Sequence, residues 1–100
     1  MEPTTDVIFR KWRDGNVIAL FPGTAATNDP HLCLSYEHMG QHAAASDSLT
    51  GVTDPAKPAE YVELKRELER QGYNLNVVRR FTSKHRQQRR AQCERVLGVR

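Results

Sequence analysis

The stretch that most constrains the fold is residues 6–21, DVIFRKWRDGNVIALF, which has the pattern of a β-hairpin. Asp14 and Gly15 accept the positive φ angles of a tight hairpin turn, and runs rich in Val, Ile, Phe and Trp flank them. A two-residue turn would place Phe9 opposite Leu20, on the same face of the sheet. Because an isolated hairpin is only marginally stable in water, we expect further strands and a helix to cover it.

Several segments after the hairpin have weaker patterns. Residues 32–36, LCLSY, put two leucines and a tyrosine on one face, which predicts a third strand beside the hairpin. Residues 37–48 contain a glycine and three consecutive alanines and are interpreted as irregular. We expect a short edge strand over residues 48–53 and a longer strand over residues 73–81.

The clearest helix signal covers residues 58–71. The segment begins with a proline, which is tolerated in a first helical turn, and a glycine follows it as a stop signal. Tyr61, Leu64 and Leu68 recur at helical spacing, while most of the residues between them are charged. We therefore expect a helix that packs this apolar stripe on the sheet.

These segments predict an α+β fold. Its core is a small antiparallel or mixed sheet, formed by the N-terminal hairpin plus one or two further strands and packed by one helix. A chain of 100 residues has room for one modest core, so we expect a single domain over residues 1–81. Residues 82–100 contain good helix formers but no convincing apolar stripe, and they are predicted to form a basic C-terminal helix or tail.

The charge of the chain is concentrated at its C-terminal end. Residues 79–100 contain eight Lys or Arg and one acid, whereas residues 1–78 contain seven basic and eleven acidic residues. Clustered fixed cations suit the phosphate backbone of a nucleic acid, although no known nucleic-acid-binding motif accompanies them. A solvated basic tail and a contact with an acidic protein partner are the alternatives. The candidate nucleic-acid-binding residues are Arg79, Arg80, Lys84, Arg86, Arg89 and Arg90.

A second polar cluster lies in the middle of the chain. The possible recognition surface consists of Tyr36, Glu37, His38, Gln41 and His42. Together with His31 and Cys33, the cluster holds three of the four histidines within twelve residues, an inventory that metal sites also use. Its spacing matches no known zinc motif, so a metal site or a catalytic centre on Cys33, His38 and His42 is the weaker alternative to polar side chains that shape a recognition surface.

Composition narrows the setting of the protein. No apolar run has the length of a membrane span, and the N-terminus lacks the basic and apolar regions of a signal peptide. The two cysteines lie 60 positions apart and do not form a disulfide framework. We expect a cytoplasmic protein with reduced thiols that needs neither a cofactor nor a membrane.

The chain resembles small bacterial proteins that occur on plasmids and other mobile or accessory elements. VIFRKW, GNVIALFP, CLSYEHMGQH, PAEYVELKRELERQGYNLNVVRR and TSKHRQQRR support the resemblance, which covers roughly residues 6–90. Such proteins have no assigned activity, so the resemblance implies a bacterial cytoplasmic setting and a single intact domain, and it transfers no catalytic residue. By analogy, small proteins of these elements are often regulators or inhibitors that bind host nucleoprotein machinery.

The function expected from the sequence is that of a small, non-enzymatic and regulatory binding protein. Its basic C-terminal segment would contact a nucleic acid or a nucleoprotein. A protein-directed inhibitor or adaptor that needs no nucleic acid is the first alternative, and a small metal protein or enzyme centred on Cys33, His38 and His42 is the second. An exposed edge strand would also allow a homodimer.

Overall fold

The N-terminal hairpin lies at the centre of the sheet. A computed structural model describes residues 3–37 and 41–96, and within them it contains a six-stranded sheet and two α-helices. The strands are β1 (Thr5–Lys11), β2 (Val17–Ala25), β3 (Leu32–Glu37), β4 (Gln41–Ser46), β5 (Asp54–Pro55) and β6 (Leu75–Val77). The α-helices are α1 (Pro58–Arg70) and α2 (Ser83–Val96), and a short 3-10 helix covers Asp47–Gly51. The α+β class is confirmed.

The strands follow the order β4, β3, β2, β1, β5, and each neighbouring pair is antiparallel. The strand β6 is parallel to β1 and pairs with its first three residues, while β5 pairs with its last two. The outer edge of β1 is therefore shared by two short strands. The sheet therefore has six strands among the described residues, whereas the sequence predicts three or four.

The hairpin is confirmed, but its predicted register is wrong by one residue. Phe9 lies opposite Ala19 and Ile8 lies opposite Leu20. The turn has three residues, since the Trp12 amide donates to the Asn16 carbonyl at 2.8 Å and the Gly15 amide donates back to the Trp12 carbonyl at 3.0 Å. Gly15 has a φ of +92°, the left-handed position that closes a three-residue turn with a bulge.

The register decides which side chains share a face of the sheet. Phe9 lies with Ala19 and Phe21 on the face that receives Leu64 and Leu68 of α1. Burying each of these two leucines contributes about 1.5–3 kcal/mol before entropy is counted. The opposite face carries Ile8, Ile18, Leu20 and Cys33.

Two other segments differ from the prediction. Residues 41–46, expected to be irregular, form β4, and the three consecutive alanines pair with residues 33–35 of β3. An edge strand is predicted over residues 48–53, but residues 48–51 belong to the 3-10 helix Asp47–Gly51. Local propensity is weak for an alanine run, and pairing with an existing strand outweighs it.

The predicted helix 58–71 is confirmed as α1, which ends one residue earlier. The strand expected over residues 73–81 is present only as the three residues of β6. The segment 82–100 is predicted to form a basic C-terminal helix or tail. Its described part forms the helix α2, which packs against β2.

Gly15 offers a direct test of the three-residue turn. Nothing lies within 4 Å of a methyl group added there, so Gly15→Ala changes only the cost of the left-handed backbone. We expect it to lower the free energy of unfolding by about 1–2 kcal/mol in urea titrations. The matched control is Gly51→Ala, which has equal space and no positive φ and should change stability by less than about 0.5 kcal/mol. Equal effects of the two substitutions would contradict the turn geometry.

Candidate functional site

The basic C-terminal stretch is displayed on α2 and on the bend before it. Arg79 and Arg80 follow β6 and are exposed, and Lys84, Arg86 and Arg90 are exposed on α2. We call these five residues the basic surface. From residue 79 to residue 93 the chain contains no Asp or Glu, so no acid of this stretch neutralises them.

Arg89, the sixth predicted nucleic-acid-binding residue, lies elsewhere. It is only 1% exposed, because α2 turns it toward the sheet. Its Nε donates to the Pro30 carbonyl at 2.9 Å, its Nη1 to the Pro22 carbonyl at 2.7 Å and its Nη2 to Asp47 Oδ2 at 3.0 Å. A guanidinium with these partners is not available to a phosphate, so Arg89 is a structural residue and leaves the predicted set.

Gln92 supports the same docking from the next turn of α2. Pairing between β2 and β3 shifts register between Phe21 and Ala25, which leaves backbone groups of β2 without strand partners. The Gln92 side chain satisfies two of them: its Nε2 donates to the Gly23 carbonyl at 2.8 Å, and its Oε1 accepts from the Ala25 amide at 2.7 Å. The helix is therefore held by hydrogen bonds to an irregular strand rather than by an apolar stripe.

His85 connects the first turn of α2 to β1. The Thr82 amide donates to His85 Nδ1 at 3.1 Å, so Nδ1 is an acceptor and the ring proton lies on Nε2. Nε2 then donates to Asp6 Oδ2 at 2.8 Å. This hydrogen bond lowers the pKa of the Asp6 carboxyl below its ordinary value of 3.8, with a further contribution from the Asn76 side chain.

The Asp6, His85 and Thr82 side chains have the order of a catalytic triad, yet their hydrogen bonds are those of a helix cap. Thr82 Oγ1 accepts from the His85 amide at 3.3 Å while His85 Nδ1 accepts from the Thr82 amide, which is the reciprocal pattern of a capping box. Thr82 Oγ1 also lies 3.2 Å from Nδ1, but the Thr82 amide already donates to that nitrogen at 3.1 Å. His85 is also buried, at 4% exposure. We assign the three residues to the attachment of α2.

The residues that attach α2 were missed in the sequence because they are polar. His85, Arg89 and Cys93 recur every four residues and form one buried stripe on the helix. An i, i+4, i+8 pattern that counts only apolar side chains contains Cys93 alone. Polar side chains have the same spacing on other faces of α2, for example Lys84, Gln88 and Gln92, so spacing alone does not identify the buried stripe.

Acids from other segments approach the basic surface at two points. Asp47 lies 3.9 Å from Arg86, whose side chain nevertheless remains 58% exposed. Asp6 is near Lys84, which contributes to its lowered pKa, although His85 is its main partner. Each carboxylate has its shortest contact with a buried residue of α2, Asp47 with Arg89 and Asp6 with His85. The positive charge of the basic surface is therefore only partly neutralised by these acids.

The second predicted cluster is not assembled as one surface. Tyr36 is buried at 3% exposure. Its hydroxyl donates to Glu67 Oε2 at 2.6 Å and accepts from the side-chain Nε2 of Gln71 at 2.8 Å. Glu37 accepts from Trp12 Nε1 at 3.3 Å on the other face of the sheet. His42 is exposed, with its Nε2 2.9 Å from the Tyr73 hydroxyl. His38 and the side chain of Gln41 lie outside the described residues.

The proposed centre on Cys33, His38 and His42 does not form in the described part of the chain. Cys33 packs with Ile8 and Leu20, whereas His42 lies by Tyr36 and Phe21 on the opposite face. Burial raises the pKa of the Cys33 thiol to about 11, which disfavours the thiolate that a nucleophile or a metal ligand needs. Within residues 3–37 and 41–96, no cluster of three His, Cys, Asp or Glu could hold a metal ion.

Comparisons with protein-family models, with curated protein sequences and with solved structures found no match for this chain. Among the described residues, neither helix has the length and apolar character needed to cross a membrane.

Removing the Arg89 side chain should release α2 from the sheet. Arg89→Ala leaves the carbonyls of Pro22 and Pro30 and the Asp47 carboxylate without the Arg89 donors, and we expect a loss of about 3–5 kcal/mol in the free energy of unfolding. A urea titration monitored by circular dichroism measures this loss in the free energy of unfolding. Arg90→Ala is the matched control, because Arg90 is exposed on the same helix and should change stability by less than about 0.5 kcal/mol. Similar losses in the two variants would refute the structural role of Arg89.

The Asp6 carboxylate should stabilise the protein in a pH-dependent way. Its pKa is lower in the folded chain than the ordinary 3.8, so its contribution is present above that pH and is lost as the pH falls through the folded pKa. We expect wild type to exceed Asp6→Asn in free energy of unfolding at about pH 6, and the difference to shrink below about pH 3.8. Urea titrations across this range test it. A stability difference that stays constant from about pH 6 to below about pH 3.8 would contradict this role of the Asp6 carboxylate.

Proposed function

We propose that the protein binds nucleic acid, alone or within a nucleoprotein, through the basic surface formed by Arg79, Arg80, Lys84, Arg86 and Arg90. The observation that carries the proposal is that these exposed cations lie on a docked helix and the bend before it, with no acid between residues 79 and 93. The function is binding without catalysis, in a bacterial cytoplasm, and it is regulatory.

Attachment of α2 favours phosphate binding. A disordered basic tail would lose conformational entropy when it binds, whereas cations on a helix that is already ordered do not have to be organised by the ligand. Arg86 and Arg90 are four positions apart and so lie about 5–6 Å from each other at their Cβ atoms on one flank of the helix. Both can therefore contact the same stretch of phosphate backbone.

The rest of the domain favours one orientation. Residues 1–78 contain eleven acids and seven bases, so this part of the protein repels a polyanion. The opposite charge of the basic surface would direct approach of the nucleic acid to α2. Contacts of this kind recognise the phosphate backbone and predict little preference for base sequence.

Replacing three cations of the basic surface should weaken binding and its salt dependence together. The variant is Arg80→Gln with Arg86→Gln and Arg90→Gln, in the full chain, with Arg89 left intact. If each cation neutralises one phosphate, the slope of log affinity against log salt falls in magnitude by about 2.7 for duplex DNA. Fluorescence anisotropy with labelled duplexes and single strands of DNA and RNA, at several salt concentrations, measures it.

The matched control removes the same charge from elsewhere. Arg13, Arg66 and Arg70 are exposed on the hairpin turn and on α1, and their triple glutamine variant should retain the wild-type slope. Equal weakening by the two triple variants would mean that only net charge matters, which contradicts a defined surface. Absence of binding to all four ligands at low salt would overturn the proposal and favour an acidic protein partner for α2.

A further inference from the structure

The outer edge of β1 contains a groove between the two short strands that share it. The strand β6 pairs with Thr5–Val7 and β5 pairs with Arg10 and Lys11, so neither strand covers the middle of β1. The groove has a volume of about 540 Å³ and runs between the start of α1 and the end of β6. Ligand pockets for small molecules commonly have about 300–1,000 Å³, so its size suits one small molecule.

The walls of the groove are mostly apolar. Phe9 and Tyr61 form a stacked pair with ring centroids 4.2 Å apart on one side. Val77 contributes to the other side and is 38% exposed, which is high for a valine in a strand. An apolar ligand would cover surface that now contacts water.

All charged residues that line the groove are cations: Arg10, Lys57 and Arg79. The nearest acid of α1, Glu60, does not line it and is engaged by Lys11 Nζ at 2.6 Å and by the Lys57 amide at 2.8 Å. The charge of the groove is therefore complementary to an anion.

Arg10 lines the groove, but its guanidinium is committed to the fold. It is 9% exposed and is held by Thr53, whose hydroxyl and carbonyl both accept from its guanidinium, and by the Thr50 carbonyl at 2.8 Å. Because strand side chains alternate, Arg10 leaves β1 on the face of Ile8, opposite Phe9 and Tyr61. The exposed Lys57 and Arg79 are therefore the cations that an anion in the groove would meet.

We propose that this groove binds a small amphipathic carboxylate, a molecule with an apolar aliphatic or aromatic body and a single carboxylate group. The apolar body lies against Tyr61 and Val77, and the carboxylate contacts the exposed cations Lys57 and Arg79 at the groove. Arg79 also belongs to the basic surface, so the groove adjoins that surface, whereas Tyr61, Lys57 and Val77 lie outside it. The proposal does not depend on phosphate binding by α2, because the triple variant at Arg80, Arg86 and Arg90 leaves every residue that lines the groove intact.

The test is an NMR titration of the ¹⁵N-labelled full chain with three probes that share one apolar body: octanoate, octanol and octylammonium. We expect octanoate to shift the amides of residues 8–10, 56–57 and 77–79 and to bind at least about tenfold more tightly than octylammonium, because only the carboxylate matches the cations. Octanol should bind the same residues with intermediate affinity. Shifts that lie outside the groove, or equal affinity for the anion and the cation, would overturn the proposal.

Two variants locate the site. Val77→Glu places a negative charge in the groove and should weaken octanoate binding about tenfold or more. Val62→Glu makes the same change at a valine of similar exposure, 36%, outside the groove and should alter affinity less than twofold. Lys57→Gln keeps the backbone amide that caps α1 and should weaken octanoate binding several-fold without affecting octanol. Equal effects of the two valine substitutions, or no effect of Lys57→Gln, would refute the site.

Discussion

The buried guanidinium of Arg89 is the interaction on which the arrangement of the C-terminal helix depends. It joins α2 to β2, to the loop before β3 and to the 3-10 helix through three hydrogen bonds, and it lies 5.2 Å from the Phe81 ring. Burying a charge costs several kcal/mol, and here each of the three guanidinium nitrogens donates to an oxygen, which offsets that cost. The planar fork of arginine donates to three segments from three separate nitrogens, whereas a lysine has a single nitrogen that carries all its donors.

This attachment explains how a helix without an apolar stripe becomes part of the domain. The pairing of β2 with β3 changes register after Phe21, which leaves carbonyls of β2 without strand partners. The Pro22 carbonyl accepts from Arg89, and the Gly23 carbonyl accepts from Gln92. Polar side chains of α2 therefore supply hydrogen-bond partners to backbone groups in the irregular part of β2. A consequence is that one flank of α2 is committed to the fold, while Lys84, Arg86 and Arg90 remain at the surface. The same basic segment thus supplies both a structural charge and the cations proposed to contact phosphate.

The edge of β1 shows a second effect of incomplete strand pairing. Two strands of two and three residues cannot cover a seven-residue edge, so a groove remains between them, and its charged residues are cations. Arg10 is fixed there by Thr50 and Thr53, just as Arg89 is fixed by its carbonyls. Both buried guanidiniums serve the fold, and the exposed Lys57 and Arg79 are the cations proposed to meet a ligand at the groove.

The sequence by itself determined the elements whose signals are local. The hairpin on Asp14 and Gly15, the strand β3 and the helix α1 follow from turn chemistry and from period-two or helical spacing, which neighbouring residues encode. Only the tertiary structure decided the hairpin register, the pairing of β4 and the burial of His85 and Arg89. Each of these depends on partners far away in the chain, such as Asp6 for His85 and Pro22 for Arg89, and local composition carries no record of them. An arginine on a helix has the same pattern in the sequence whether it faces solvent or three carbonyl and carboxylate oxygens.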